Sequence, residues 1–214
     1  MAIIQKIIYG EHSVKLDLDN GESWKLPYSV VSDYSLKSGL LLEGEVYLKI
    51  YDESLKYACM QKALAHLALR NRSAHELRTY LKKKLFKDEH IETAITLLRE
   101  KGYVNDYDFA LSFIKSRMAM KKYGSRIIKR DLFLKGIDRN IIDATMEECN
   151  AYEVDEEALF FIANKKYNSV KDKKNSYMKT AGFLKGRGFE YEQIRKVLAM
   201  VVDKMEDERE DLND

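Results

Sequence analysis

Residues 81–98 read LKKKLFKDEHIETAITLL, and two later segments repeat their apolar pattern: 132–149 (LFLKGIDRNIIDATMEEC) and 184–201 (LKGRGFEYEQIRKVLAMV). Matched positions are offset by 51 residues between the first two copies and by 52 between the second and the third. The spacing within each copy is that of a helix end, a short turn and a second helix. A fixed period of this length predicts a tandem array of helical units, which provides a long surface and, by itself, no catalytic pocket.

A further helix precedes each copy, with matched apolar positions that begin at Ala63, Ala110 and Ala158. The chain is therefore predicted to be mainly α, with three three-helix repeats at residues 53–103, 104–154 and 155–202. Extra residues between the first and second helices of the later repeats predict loops, which include 120–124 and 168–172. Because each repeat contacts only its neighbours, we expect the array to be elongated and curved.

The first 52 residues lack the repeat and predict a small β-rich N-terminal subdomain. Alternating or apolar runs predict strands at residues 3–9, 13–18 and 23–26, and residues 29–36 predict a short helix. Asn20-Gly21 lies between two alternating runs and predicts a hairpin in which both turn residues have positive φ. Residues 40–50 leave room for one more strand before the helices begin.

Helix-end signals support this assignment. Ser73-x-x-Glu76 is a capping box, in which the serine oxygen accepts a hydrogen bond from the amide of Glu76. Gly136 and Gly188 stand between the second and third helices of their repeats, where a helix can end in a left-handed residue. The first repeat has Leu85 at this place, so its turn must form without glycine.

Charge is unevenly distributed along the 214 residues, although the net charge is only +2. Residues 1–52 carry −3, the three repeats together carry +10, and residues 203–214 form an acidic tail of −5 that we expect to fray into solvent. A basic array between acidic ends predicts an anionic partner, and the alternative is ordinary solvated helix surface. The chain has no signal peptide pattern and no membrane-spanning apolar run, so we expect a cytoplasmic, monomeric protein that does not bind membranes.

Chemically reactive residues do not form a recognisable site. The four histidines lack metal-ligand spacing, and Cys59 and Cys149 lie in apolar helical patterns typical of buried thiols in a reducing compartment. Gly182-x-x-x-Gly186-x-Gly188 lacks the Lys-Ser/Thr ending of a phosphate loop and follows no strand. The sequence therefore predicts a protein that is not an enzyme and uses no metal or cofactor, with an enzyme of unrecognised site as the least favoured alternative.

Basic residues cluster around the second helix of each repeat, and one basic position recurs in register at Lys84, Lys135 and Arg187. Basic helices on an array can follow a phosphate backbone or an acidic protein groove. The candidate partner-binding or DNA-binding residues are Arg70, Arg72, Arg78, Lys82, Lys83, Lys84, Lys121, Lys122, Arg126, Lys129, Arg130, Lys135, Lys173, Lys174, Lys185 and Arg187.

Four elements within residues 55–202 resemble the RecX family of bacterial RecA regulators. They are Leu69-Arg70-x-Arg72-Ser73-x-x-Glu76-Leu77, Gly102-Tyr103-Val104-Asn105-Asp106, Gly124-x-x-Ile127 with Leu132-x-x-Lys135-Gly136-Ile137, and Leu184-x-x-Arg187-Gly188-Phe189. The family commonly has an acidic residue where this sequence has Asn105. The β-rich N-terminal segment is similar to that of the longer forms from low-GC Gram-positive bacteria.

The resemblance implies a non-enzymatic regulator of DNA repair, homologous recombination and the SOS response. Proteins of this family lie in the groove of the RecA–DNA filament, where they inhibit strand exchange, ATP hydrolysis and co-protease activity. The expected partners are the RecA filament and, more weakly or indirectly, single-stranded DNA. The alternative is a helical-repeat protein that binds single-stranded nucleic acid without RecA.

Overall fold

The computed structural model describes the backbone of residues 1–170 and 175–210, with side chains through Met205. The chain forms two compact units, Met1–Asn105 and Asp106–Asp214. Within the described residues there are ten helices and four strands. The prediction of a mainly α chain with three three-helix repeats after a small N-terminal sheet is confirmed.

The first unit begins with an antiparallel sheet of order β3-β2-β1-β4, formed by β1 (Ala2–Tyr9), β2 (Val14–Leu18), β3 (Ser23–Leu26) and β4 (Leu41–Leu42). Helix α1 (Tyr28–Asp33) follows β3. Alternate residues of β2 are buried, as the period of a half-buried strand requires. They join a core that also contains Ile4, Leu26 and Ile50.

The β2–β3 hairpin forms where the sequence predicted it, but its turn differs in detail. Only Gly21 has positive φ (83°), and Asn20 does not. The amide of Gly21 donates to the carbonyl of Leu18 (3.1 Å), and the amide of Leu18 donates to the carbonyl of Glu22 (2.9 Å). These bonds close a three-residue loop, which needs the left-handed conformation at one position instead of two.

The space left for a further strand is occupied mostly by helix. The short strand β4 is present, but residues 46–50 lie inside α2 (Gly44–Leu67). An apolar run of this length does not distinguish a strand from a helix, and the buried positions Ile50, Ser54, Cys59 and Ala63 have helical spacing. Helix α2 thus supplies Ile50 to the core of the sheet and Cys59 to the core of the first repeat.

Each repeat consists of three helices around its own apolar core. The first repeat comprises α2, α3 (Ala74–Lys83) and α4 (Asp88–Glu100). The second comprises α5 (Asp106–Ala119), α6 (Ser125–Leu134) and α7 (Arg139–Glu148). The third comprises α8 (Glu156–Asn168), α9 (Ser176–Gly186) and α10 (Tyr191–Glu210).

The last helix is longer than expected, because α10 continues through part of the acidic segment to Glu210. The expectation that the chain frays from residue 203 is therefore wrong up to Glu210, and residues 211–214 lie outside the described part. Residues 120–124 form the predicted connector between α5 and α6. Of the second connector, 171 and 172 lie outside the described residues.

Helix ends are built as the sequence predicts. The Ser73 hydroxyl accepts a hydrogen bond from the Glu76 amide (3.1 Å) at the start of α3. Gly136 and Gly188 have φ of 71° and 84° after α6 and α9. Leu85 takes the same left-handed conformation after α3 (φ 64°), and its side chain is 92% exposed. The turn without glycine therefore forms with a leucine in a conformation that L-residues rarely adopt.

Candidate nucleic-acid and partner interface

The basic position that recurs in all three repeats is the end of the second helix. Lys84, Lys135 and Arg187 are the C-cap residues of α3, α6 and α9. A cation at this position is favourable because a helix carries partial negative charge at its C-terminus. Their cations lie over the rings of Tyr80 (5.8 Å to the centroid), Phe113 (5.4 Å) and Phe183 (4.6 Å), respectively. The recurrence therefore has a cause within the fold, independent of any partner.

Several candidate cations of the first repeat are paired with acids of the same repeat. The guanidinium of Arg70 contacts Glu76 at 3.0 and 3.2 Å. Arg78 of α3 forms a two-point pair with Glu92 of α4, at 2.6 and 2.7 Å. Lys82 lies 3.0 Å from Asp88. Such exposed pairs contribute only ~0–1 kcal/mol each, and a stronger anionic partner can displace the acid.

Candidate cations of the second repeat are also paired, two of them with acids of the third repeat. Lys121 lies 2.6 Å from Asp155, and its ammonium, followed by the amide of Ala158, holds the pKa of Asp155 below its usual value. The remaining pairs are Lys129–Asp143 at 2.7 Å, Arg130–Asp131 at 3.0 Å and Arg126–Glu190 at 3.9 Å. Lys121, Arg126 and Lys129 thus join different segments of the second unit, so each has a structural role beside any role in binding.

Four candidates remain exposed without an ion pair in the described part of the chain: Lys83, Lys84, Lys122 and Lys185. Arg72 is half-buried, and its Nε has no hydrogen-bond partner within the described segments. Burial of His66 lowers the pKa of its ring, and the nearby positive charge of Arg72 lowers it further. The His66 ring stacks on the ring of Tyr80, with 3.7 Å between the ring centroids. Lys173 and Lys174 lie outside the described residues. The structure thus separates the candidate set into cations engaged within the fold and cations available to a partner.

A cleft in the second unit contains residues that sequence reasoning missed. The aromatic–basic cleft has a volume of about 380 Å³ and is lined by Lys122, Phe161, Lys165, Lys166, Phe183 and Arg187. Lys122 comes from the α5–α6 connector, and the others come from α8 and α9. The cleft therefore includes two of the predicted cations, Lys122 and Arg187. The signal that could have located it is the sequence Phe160-Phe161 followed by Lys165-Lys166 on α8.

The described residues contain no group of three or more His, Cys, Asp or Glu side chains placed so that they could hold a metal ion. Burial raises the pKa of the Cys59 thiol to about 11, so this thiol stays protonated at neutral pH. His90 is buried and hydrogen-bonded to Asp52 at 2.7 Å, which joins α4 to α2. None of the helices in the described segments has the length and apolar character needed to cross a membrane.

Comparison with known proteins identifies the repeats. Three domain models of RecX match: the first three-helix domain at residues 59–98, the second at 105–146 and the third at 153–198. The regulatory protein RecX of Clostridioides difficile is 30% identical over 171 residues, which cover 79% of this chain and 80% of that protein. This chain belongs to the RecX family.

Further RecX proteins agree with this assignment. The regulatory protein RecX of Finegoldia magna is 29% identical over 203 residues, covering 92% of this chain and 99% of that one. A crystal structure of regulatory protein RecX matches with a TM-score of 0.71 at 20% identity, covering 95% of this chain and all of the other. The crystal structure of RecX from Lactobacillus salivarius matches with a TM-score of 0.59 at 23% identity, covering 69% of this chain and 96% of the other. These two likenesses support the fold, and the resemblance seen in the sequence is confirmed.

Proposed function

We propose that this RecX protein binds the RecA–DNA filament and inhibits the recombinase, ATPase and co-protease activities of RecA. The observation that carries the proposal is the presence of all three RecX domains in one chain. It acts as a cytoplasmic monomer in the control of recombination, DNA repair and the SOS response, and as a regulator and not an enzyme. Its relatives are named regulatory proteins, which supports this role.

Tandem repeats suit a filament because both are periodic. Each repeat ends its second helix in a cation, and the first repeat adds the exposed side chains of Lys83 and Leu85. Contacts made by linked repeats reinforce one another, because the first contact raises the effective concentration of the next. Individually weak surface interactions can then give firm binding to successive RecA subunits.

The test is a titration of RecA ATPase and strand exchange on single-stranded DNA with the full chain. We expect inhibition at ratios near or below one protein per filament subunit. Lys83→Glu, which reverses an exposed cation with no ion pair among the described residues, should weaken inhibition. The matched control is Lys37→Glu, which reverses an exposed cation of the N-terminal segment that likewise has no ion pair among those residues, and it should inhibit like the parent protein.

A second candidate function is binding of single-stranded nucleic acid without RecA, which the aromatic–basic cleft favours. Binding to bare single-stranded DNA, compared with binding to the RecA–DNA filament, separates the two. A filament-binding inhibitor has the lower Kd for the filament, whereas a protein that only binds DNA has the lower Kd for the bare strand. Tight binding to the bare strand, with RecA ATPase and strand exchange unchanged, would replace the first proposal by the second.

A further inference from the structure

We infer that the aromatic–basic cleft is a binding site for single-stranded DNA, in which a base stacks on Phe161 and neighbouring phosphates contact Lys122, Lys165 and Lys166. The choice of DNA over RNA rests on the proposed function, because the filament is assembled on single-stranded DNA. The site itself is independent of RecA contact, since its residues can bind a free strand.

Charge on the described lining of the cleft is of one sign. Four of the described lining residues are cations, and none of them is acidic. Neither Lys122 nor Lys165 forms an ion pair with any described residue, in contrast to Arg78, Lys82 and Lys129. A concave surface with unneutralised positive charge attracts phosphates and not carboxamide or apolar ligands.

An exposed aromatic ring accompanies these cations. Phe161 is 68% exposed, although phenylalanine is among the residues most often buried in proteins. Phe161 and Lys165 are four residues apart on α8, so they project from the same face of the helix. The ring of Phe183 is already flanked by Arg187 at 4.6 Å and Lys166 at 5.4 Å. Phe161 is therefore the ring that can accept a base.

The cleft is held in shape by two hydrogen bonds to backbone carbonyls. The guanidinium of Arg187 donates to the carbonyl of Lys122 (3.2 Å), and the amide of Gly124 donates to the carbonyl of Arg187 (2.9 Å). These bonds fix the α5–α6 connector, which carries Lys122, against the end of α9. Because the connector is already positioned, binding does not require the loop to be ordered at the cost of affinity.

The combination of features selects a single strand over other anions. Cations next to an exposed aromatic ring are typical of sequence-independent single-strand sites, where unpaired bases stack on side chains. In a duplex the bases are stacked inside and could not reach Phe161. An acidic peptide would use the lysines but would not need the ring. A volume of about 380 Å³ fits one nucleotide unit.

The experiment measures binding of a fluorescein-labelled dT20 strand to the full chain by anisotropy, without RecA. Loss of one base–aromatic stack corresponds to at least about a fivefold increase in Kd for Phe161→Ala. The control is Phe133→Ala, which removes another exposed phenylalanine (70%) of the same unit, outside the cleft. Lys122→Gln/Lys165→Gln should reduce the log–log salt slope by roughly 1.4, or about 0.7 for each phosphate contact. Lys115→Gln/Lys179→Gln, exposed cations elsewhere in the unit, should leave the slope unchanged.

Two outcomes would overturn the inference. In the first, Phe161→Ala and Phe133→Ala bind dT20 with the same Kd as the parent protein. In the second, a poly-glutamate peptide of equal charge displaces dT20 and is weakened by the lysine changes but not by Phe161→Ala, which makes the cleft an acidic-peptide site. Each outcome is separate from failure of the proposed function, which is read from RecA ATPase.

Discussion

Gly124 lies against Gly188 so closely that neither has room for a side chain. A Cβ placed on Gly124 would lie 2.2 Å from the carbonyl oxygen of Gly188, and one on Gly188 would lie 2.5 Å from the amide nitrogen of Ile127. The amide of Arg126 donates to the carbonyl of Gly188 (3.2 Å). The second and third repeats are thus joined through their backbones at this point.

Substitution of Gly124 by alanine is predicted to destabilise the second unit. The new methyl group meets backbone atoms, which cannot rotate away, so we expect the free energy of unfolding to fall by about 1–3 kcal/mol. Gly182→Ala is the matched control, because Gly182 lies inside α9 with open space around it. That change should raise stability by about 0.5–1 kcal/mol. Guanidinium unfolding followed by circular dichroism checks both, and equal stabilities would contradict the contact.

The glycine contact shows where sequence patterns stop being informative. Gly188 was predicted to end a helix, and its φ of 84° agrees. The approach of Gly124 to Gly188 could not be predicted, because two backbones that meet across different repeats leave no periodic signal in either segment. The 51- and 52-residue periods predicted where the helices lie, because the spacing of apolar residues indicates which face of a helix is buried. These periods carry no information on the distance between repeats.

The candidate interface was predictable in composition but not in arrangement. The sequence located Arg78 and Lys121, but their partners Glu92 of α4 and Asp155 at the start of α8 depend on tertiary packing. Phe161 was missed because it falls in an apolar segment of α8, and only the rotation of the packed helix decides which aromatic residue is exposed. The number of charged residues can be read from a sequence, whereas the pairs that neutralise them can be identified only from the folded structure.

The pair between Arg78 and Glu92 predicts a pH dependence. The hydrogen bonds from Arg78 hold the pKa of Glu92 below its ordinary value of 4.5. A carboxyl with a depressed folded-state pKa stabilises the fold above the unfolded value and loses that contribution as the pH falls through the folded value. We therefore expect the stability difference between the parent protein and Arg78→Met to shrink as the pH falls from ~7 to ~3.

Lys83→Met provides the control for this pH dependence, because Lys83 lies on the same helix and has no ion pair among the described residues. Its stability difference from the parent protein should stay constant over the same range. Urea unfolding at several pH values measures both variants. A difference for Arg78→Met that does not change with pH would show that Glu92 titrates normally in the folded protein.

The capping serine of α3 gives a third stability prediction. Ser73 is fully buried, and its hydroxyl accepts from the Glu76 amide. Ser73→Ala leaves that amide without its cap and should cost about 1 kcal/mol, within a usual range of about 0.5–2 kcal/mol. Thr79→Ala, an exposed change in the interior of the same helix, should cost nothing or stabilise slightly. Thermal unfolding of both variants tests this, and equal midpoints would argue against the cap.

Leu85 combines backbone strain with almost complete exposure. Its φ is 64°, and its side chain is 92% exposed, so the residue gains little packing in return for the strain. The equivalent residues of the other repeats, Gly136 and Gly188, adopt this conformation without a Cβ. Strain that packing does not explain is typical of sites that contact a partner. Under the proposed function, the Leu85 side chain contacts the RecA filament.

Leu85→Gly is therefore predicted to make the protein more stable and a weaker inhibitor. Removal of the Cβ relieves about 1–2 kcal/mol of left-handed strain, offset by glycine entropy to a net gain of up to about 1 kcal/mol. Loss of an apolar contact should raise the concentration for half-inhibition of RecA ATPase about fivefold or more. Leu85→Ala keeps the strain but shortens the side chain, so it should weaken inhibition without stabilising the fold. If Leu85→Gly is more stable yet inhibits like the parent protein, Leu85 makes no contact with the filament and its strain has no functional cause.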